Sequence, residues 1–421
     1  MKIIFIYIIF ISGILYGQTD SEEKSAEFGL NDLIKSALES NSQLEPIEFE
    51  KKILSAKIDQ VNYQSSSFLQ FMVDYIPVNF SSAGEYSLFY TQPIKLFGKL
   101  NAEEKLARTV SLKPEIEKKE LENELIRAVK ENYFMLSVNE KLLSFNKEYR
   151  EIINTITSSI EIRYSAGKGN QYEIFKSNNE FQDLLLEEIE LSNNKKILIN
   201  NLRTLSNTEL PENFRTKNIE ILLKIEPPVL DSSKLFTELK SNNTDFKFIE
   251  RLNEETKIEK NIAKLERKPD MELMTGYRYM SETKDNFILF AVSVDLPFMP
   301  WNEKRIDALI NEKILMEKKL SSETNSLEVK LKNELKNNLV KINSSLEKIK
   351  YISEILIPQT EQTFKSILIS YETASNEFMD LLDTYRSLRK NNKMLAEEEM
   401  NYLILISELE KLIGKQILTI N

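Results

Sequence analysis

The chain has 421 residues, no cysteine, no histidine and a formal net charge of −10. Those absences exclude thiol nucleophiles, imidazole bases, Ser-His-Asp arrangements, thiolate metal sites and a lipid-modified N-terminal cysteine, and the acidic balance argues against a nucleic-acid footprint. With only 9 Gly and 11 Pro, and with 29% charged residues, the composition favours long helices over a compact α/β enzyme.

Residues 1–17 read MKIIFIYIIFISGILYG: one lysine, an apolar run, and Gly17 as a small residue at a cleavage point. This is the pattern of a secretory signal peptide, and the run is short for a bilayer span. Residues 18–27 are polar and are expected to be flexible. A first unit, residues 28–205, follows. Leu30, Leu33, Ile34, Ala37 and Leu38 share one helical face, with Asn31 and Asp32 near the helix start. Pro46 fits an early turn of a second helix that reaches Tyr63.

The period changes from about 3.6 to 2 at Phe68. Leu69, Phe71, Val73 and Tyr75 alternate with more polar neighbours, then Tyr86, Leu88 and Tyr90 do the same. This predicts a β-hairpin over 68–93, ended by Pro93, which cannot donate to a ladder. Gly98 permits the backbone turn into a long helix, 99–163, on the order of 90–100 Å in length, with Pro114 as the one point where it would kink. Leu121, Leu125, Ala128, Met135 and Leu142 keep the four-three spacing of packed coiled helices. Asn132, Asn139 and Asn146 recur at seven-residue intervals, facing either a water-filled interior or the solvated surface. Gly167 and Gly169 break the helix at 164–170, and Asn170 is placed to cap a return helix over 170–205.

A proline-bearing connector, 206–233, leads to a second unit, 234–414, in the same order. It holds a helix, a hairpin over 271–297 ended by Pro297 and Pro300, a long helix 302–370 that Pro358 should kink, a break at 371–376, and a return helix 377–413; residues 415–421 form a tail. The stretch YETASNEFMDLLD at 371–383 matches YSAGKGNQYEIFK at 164–176 at a constant offset of 207 residues, which suggests two copies of one unit. The fold class that follows is mainly α with a small β part: two repeats of helix, β-hairpin, long helix and helix. Strands of about 9–11 residues suit a membrane. Four cannot close a barrel, and open edges are not tolerated in lipid, so several chains would have to contribute strands. A soluble β cap on a coiled-coil rod accounts for the same alternation but less well for two hairpins at equivalent places.

In the order and doubling of LNDLIKSALESNSQL (30–44), TQPIKLFGKL (91–100), YSAGKGNQYEIF (164–175), VSVDLPFMPWNEKR (292–305) and the 355–383 stretch, the chain resembles the TolC family of outer-membrane efflux proteins. The resemblance implies a homotrimer with a 12-stranded outer-membrane β-barrel on a long α-helical periplasmic tunnel. It implies a passive efflux duct, not an enzyme, working with a periplasmic adaptor and an inner-membrane pump, needing no cofactor and no metal. It places Pro93, Gly98, Pro297 and Pro300 at the barrel–tunnel junction, Asp380 and Asp383 at the tunnel entrance, and Tyr164, Gly167, Tyr371 and Ala374 where an adaptor would touch the tip. The exit duct of a type I protein-secretion system, and an exported coiled-coil scaffold or adhesin, are the competing readings.

Overall fold

The structure is a computed structural model that describes residues 29–76, 78, 84–216, 231–373 and 377–417. The signal peptide, residues 18–27, half of the connector (217–230), Ala374 and the last four residues lie outside the described residues.

Helix α1 (Leu30–Ser40) starts where the Asp32 carboxylate accepts from the Gly29 N–H at 2.8 Å. Leu30, Leu33, Ile34 and Ala37 are buried, as their spacing requires. Helix α2 (Glu45–Val61) has Pro46 in its first turn, where a missing N–H is no loss. Strands β1 (Phe68–Asp74) and β2 (Glu85–Ile94) follow, then α3 (Lys99–Val110), α4 (Lys113–Ser165) and α5 (Gln171–Ser206). The second half holds α6 (Ser232–Asn242), α7 (Thr244–Leu265), β3 (Met271–Met280), β4 (Asp285–Val294), α8 (Pro300–Tyr351), α9 (Ile357–Glu372) and α10 (Phe378–Ile413). The 53 residues of α4 span about 80 Å.

Two long helices differ from expectation. The first is interrupted at Ser111 and Leu112, so that Pro114 sits in the first turn of α4 instead of kinking a continuous helix. The second contains a π turn at Ile352–Leu356 immediately before Pro358. Pro358 cannot donate to the carbonyl four residues back, and one widened turn accommodates the missing bond. Asn170 stands at the N-cap of α5, but its side chain makes no capping bond.

Element bounds recur along the chain. α4 and α9 end 207 residues apart, at Ser165 and Glu372, and the 36-residue helices α5 and α10 begin and end at the same offset. Asn41 and Asn243 act alike. The Asn41 amide donates to the Leu205 carbonyl at 2.9 Å while its oxygen accepts from the Gln43 N–H. The Asn243 amide donates to the Leu412 carbonyl at 3.0 Å while its oxygen accepts from the Asp245 N–H.

The strands form one antiparallel sheet in the order β1-β2-β3-β4, with β2 and β3 joining the two halves in register from Glu85↔Met280 to Ile94↔Met271. Below the sheet the helices keep the same lateral order: α2 packs on α3, α3 on α7 and α7 on α8. Two apolar clusters fill the rod. One lies around α1 and α6, with Val129, Phe134, Leu202, Leu335, Ile406 and Leu409 at its centre. The other, nearer the tip, gathers Ile153, Ile156, Ile160, Leu184, Leu381 and Tyr385 from α4, α5 and α10.

Candidate functional site

Three regions carry chemistry: the sheet, the strand–helix junction, and the tip where α4 turns into α5 and α9 into α10. In the sheet, alternation sorts side chains to two faces. Leu69 and Phe71, Leu88 and Tyr90, Leu273 and Tyr277, and Ile288, Phe290 and Val292 fall on one face by register, and all are exposed, Phe290 at 82%. The opposite face is more polar and partly covered. There Arg278 reaches Glu85 at 3.4 Å and donates from Nε to the Ser87 hydroxyl at 3.2 Å. Phe89 lies over Gly276, where an added Cβ would come 2.3 Å from the ring. β1 and β4 each pair on one side only. Among the described residues no helix is long and apolar enough to cross a membrane.

At the junction, Phe97 and Gly98 take successive left-handed conformations, φ 56° and 77°, closed by the Lys99 N–H donating to the Leu96 carbonyl at 3.2 Å. Asp270, just before β3, accepts from the Leu96 N–H at 3.0 Å and pairs with the Lys99 ammonium at 2.8 Å, tying the two halves together. Pro300 opens α8 in its first turn, and Pro297 lies between β4 and that helix. Pro93 corrects the expectation that it ends the strand pairing. It stays in register with Glu272, and β2 continues to Ile94 on the β3 side. β1 pairing has already stopped at Thr91, so the strand is unpaired on that side.

At the tip, Gly167 is left-handed at φ 71°, and the Lys168 N–H donates to the Arg163 carbonyl at 2.9 Å, which closes the helix end. Tyr164 is exposed. Tyr371 is not: it is 1% exposed. This corrects its assignment as an outward contact. Its hydroxyl donates to Glu173 Oε2 at 2.8 Å, Arg163 donates to its carbonyl, and the Arg163 guanidinium lies 4.2 Å from its ring centroid. Burial, then the adjoining Glu173 carboxylate, push the Tyr371 phenol well above its ordinary range. Asp380 falls in the first turn of α10, and it and Asp383 are exposed on one helical face. Among the described residues, Asp383 has one distant ion-pair partner, Arg386 at 3.9 Å.

Sequence reasoning missed the carboxylates that α5 offers to α9 and α10. Glu173, Glu180 and Glu187 are spaced by seven residues, and each finds a partner in the second half: Tyr371, Arg386, and Arg389 with Lys393. Burial raises the Glu187 carboxyl, but Arg389 and Lys393 outweigh it and hold the group below its usual value. The seven-residue spacing was the available signal. Two members of the asparagine row differ from either expectation, while Asn132 stays half-exposed. Asn139 and Asn146 are buried, Asn146 donating to the Leu184 carbonyl at 2.9 Å, and Asn132 meets Asn201 at 3.0 Å. Among the described residues no group of three or more acidic side chains could hold a metal ion.

No family model matches the sequence, and no curated protein matches it. Solved structures do. CusC, described in terms of folding and transmembrane channel formation, superposes with a TM-score of 0.77 at 15% identity, over 92% of this chain and 92% of that one. The outer membrane protein VceC from Vibrio cholerae gives 0.72 at 14% identity, over 92% and 96%. The open MtrE outer membrane channel of Neisseria gonorrhoeae gives 0.74 at 16% identity, over 92% and 89%. The chain has the fold of the TolC-family outer-membrane channels over nearly its whole length.

Proposed function

We propose that the chain is one third of an outer-membrane exit channel, a passive duct for solutes that an inner-membrane pump delivers through a periplasmic adaptor. The sheet carries this reading. Three of its strands are ten residues long, within membrane length, and β1 has seven; the sheet has one apolar face and two unpaired edges. In water such edges recruit other strands, and in lipid each unpaired backbone group costs several kcal/mol. Both liabilities vanish when β4 of one copy pairs with β1 of the next, antiparallel like every other pair in the sheet. Two copies would make a barrel of about eight strands, narrow enough for side chains to fill, whereas a third copy leaves a lumen.

The recurring bounds of α5 and α10, and the paired roles of Asn41 and Asn243, support a duplicated unit of helix, hairpin, long helix and helix. In the trimer Asp380 and Asp383 form two rings of three carboxylates at the tunnel entrance, which attract cations. Tyr164 and Gly167 are the exposed tip residues for an adaptor. The outer membrane is the location and export by the N-terminal signal the route.

Detergent-extracted protein is expected to have the mass of a trimer and to give steady unitary conductance in a planar bilayer. A water-soluble monomer without conductance ends this reading. Asp380→Asn with Asp383→Asn is expected to lower the cation selectivity of the open pore, and unchanged selectivity removes the carboxylate rings from the mechanism.

A further inference from the structure

At the helix-side end of the sheet all four chain crossings carry an exposed aromatic ring or cation. Tyr63 precedes β1, Phe97 follows β2, Lys268 precedes β3, and Phe298 and Trp301 follow β4. Trp301 is 69% exposed and Phe298 62%, at the margin of the apolar sheet face. Phe97 is the most informative. It occupies the first left-handed position of a tight turn, where Asn or Gly is the usual residue and a bulky side chain is strained. Its ring is 56% exposed, with the Lys268 ammonium 6.0 Å from its centroid.

The cations of this rim divide into two sets. Lys95, Lys99, Arg267 and Arg305 are paired with Glu103, Asp270, Asp307 and Glu266. Lys268 and Lys304 are exposed and belong to no ion pair among the described residues. Amphipathic rings beside unpaired ammonium groups, at the edge of an apolar wall, suit the level where acyl chains meet phosphates.

We propose that this rim binds anionic phospholipid headgroups: Tyr63, Phe97, Phe298 and Trp301 lie among the glycerol and upper acyl groups, and Lys268 and Lys304 take the lipid phosphates. The proposal rests on the membrane reading of the sheet, and it fixes the depth at which the chain sits and the headgroup chemistry it prefers.

Trp301 is the only tryptophan in the chain, so its fluorescence reports this rim alone. The full-length protein is reconstituted in phosphatidylethanolamine–phosphatidylglycerol bilayers whose acyl chains are brominated either near the headgroup or near the chain end. Quenching severalfold stronger from the headgroup-proximal bromines is expected. In native mass spectrometry, phosphatidylglycerol adducts should outnumber phosphatidylcholine adducts, and Lys268→Gln with Lys304→Gln should abolish that preference while oligomer mass and conductance persist. Stronger quenching from the chain ends, a phosphatidylglycerol preference unchanged in the double variant, or displacement of the adducts by millimolar inorganic phosphate would each overturn the proposal. Emission untouched by bromine in a sample that conducts overturns this inference and leaves the channel reading standing; the same result in a sample that does not conduct overturns both.

Discussion

The Tyr371 hydroxyl and the Glu173 carboxylate meet in a buried setting, where a missing partner is costlier than the net gain of the bond itself. Tyr371→Phe removes the donor and leaves the acceptor buried, a change worth about 1–3 kcal/mol. Hydrogen exchange should therefore quicken at the amides of residues 366–373 while those of α1 stay protected; unchanged exchange at the tip would mean that the bond adds nothing to local stability. Glu124 makes a different kind of contribution. Arg127 first, and Lys411 after it, hold its carboxyl at about 2 against an ordinary 4.5, joining α4 to α10. A depressed carboxyl stabilises the fold fully above its unfolded value and loses that contribution as pH falls through the folded one. The melting temperature of the wild type should exceed that of Glu124→Gln at pH 7, and the gap should close between about pH 4.5 and 2. A gap independent of pH would assign the loss to packing.

Among elements, β2 and β3 form the single β pairing between the two halves, and Phe89 over Gly276 marks its middle. A methyl group at Gly276 would overlap the ring, so Gly276→Ala should destabilise the sheet by about 1–3 kcal/mol, as overpacking does, and Phe89→Ala should largely rescue it. The check is the urea midpoint of each variant; a double variant no better than Gly276→Ala would locate the strain in the backbone. Much of this layer was legible from period alone. Leu69, Phe71, Tyr277 and Phe290 alternate, and they do face one way. The tip glycine Gly167 announced its left-handed turn. What stayed hidden was pairing at a distance. Nothing local to Glu180 says that Arg386 will lie across from it, and Tyr371 reads as an exposed turn residue until the fold brings Glu173 and Arg163 to it. The helix breaks were hidden for a related reason. Pro114 and Pro358 were visible, but a proline fixes only that a bond is missing, and neighbouring packing decides whether the chain restarts, as at Lys113, or widens into a π turn, as at Ile352–Leu356.

For the whole molecule, the lateral order of elements predicts how copies meet. The strand order β1-β2-β3-β4 is repeated below by α2, α3, α7 and α8, so α2 and α8 are the two open flanks of one chain. Ion pairs across the row relate their heights. Lys51 of α2 reaches Glu115 at 3.2 Å, nearby Lys113 reaches Glu255 of α7 at 2.8 Å, and Glu259, one turn along α7, reaches Lys313 of α8 at 3.1 Å. Residues near 53 on α2 and near 315 on α8 therefore lie within about a turn of each other in height. Both flanks are apolar there: Phe49 and Ile53 on one, Leu315 on the other, all at least half exposed. A ring closed by β4 against the next β1 brings α8 of one copy beside α2 of the next, at the 8–10 Å typical of packed helices. The chain has no cysteine, so Ile53→Cys with Leu315→Cys introduces the only thiols. A bifunctional thiol reagent about 10 Å long should then yield covalent trimers on a denaturing gel. Either single variant should stay monomeric on that gel, since the facing flank of the next copy then carries no thiol. Monomers that remain uncrosslinked in a conducting sample would mean that the ring closes through another pair of flanks.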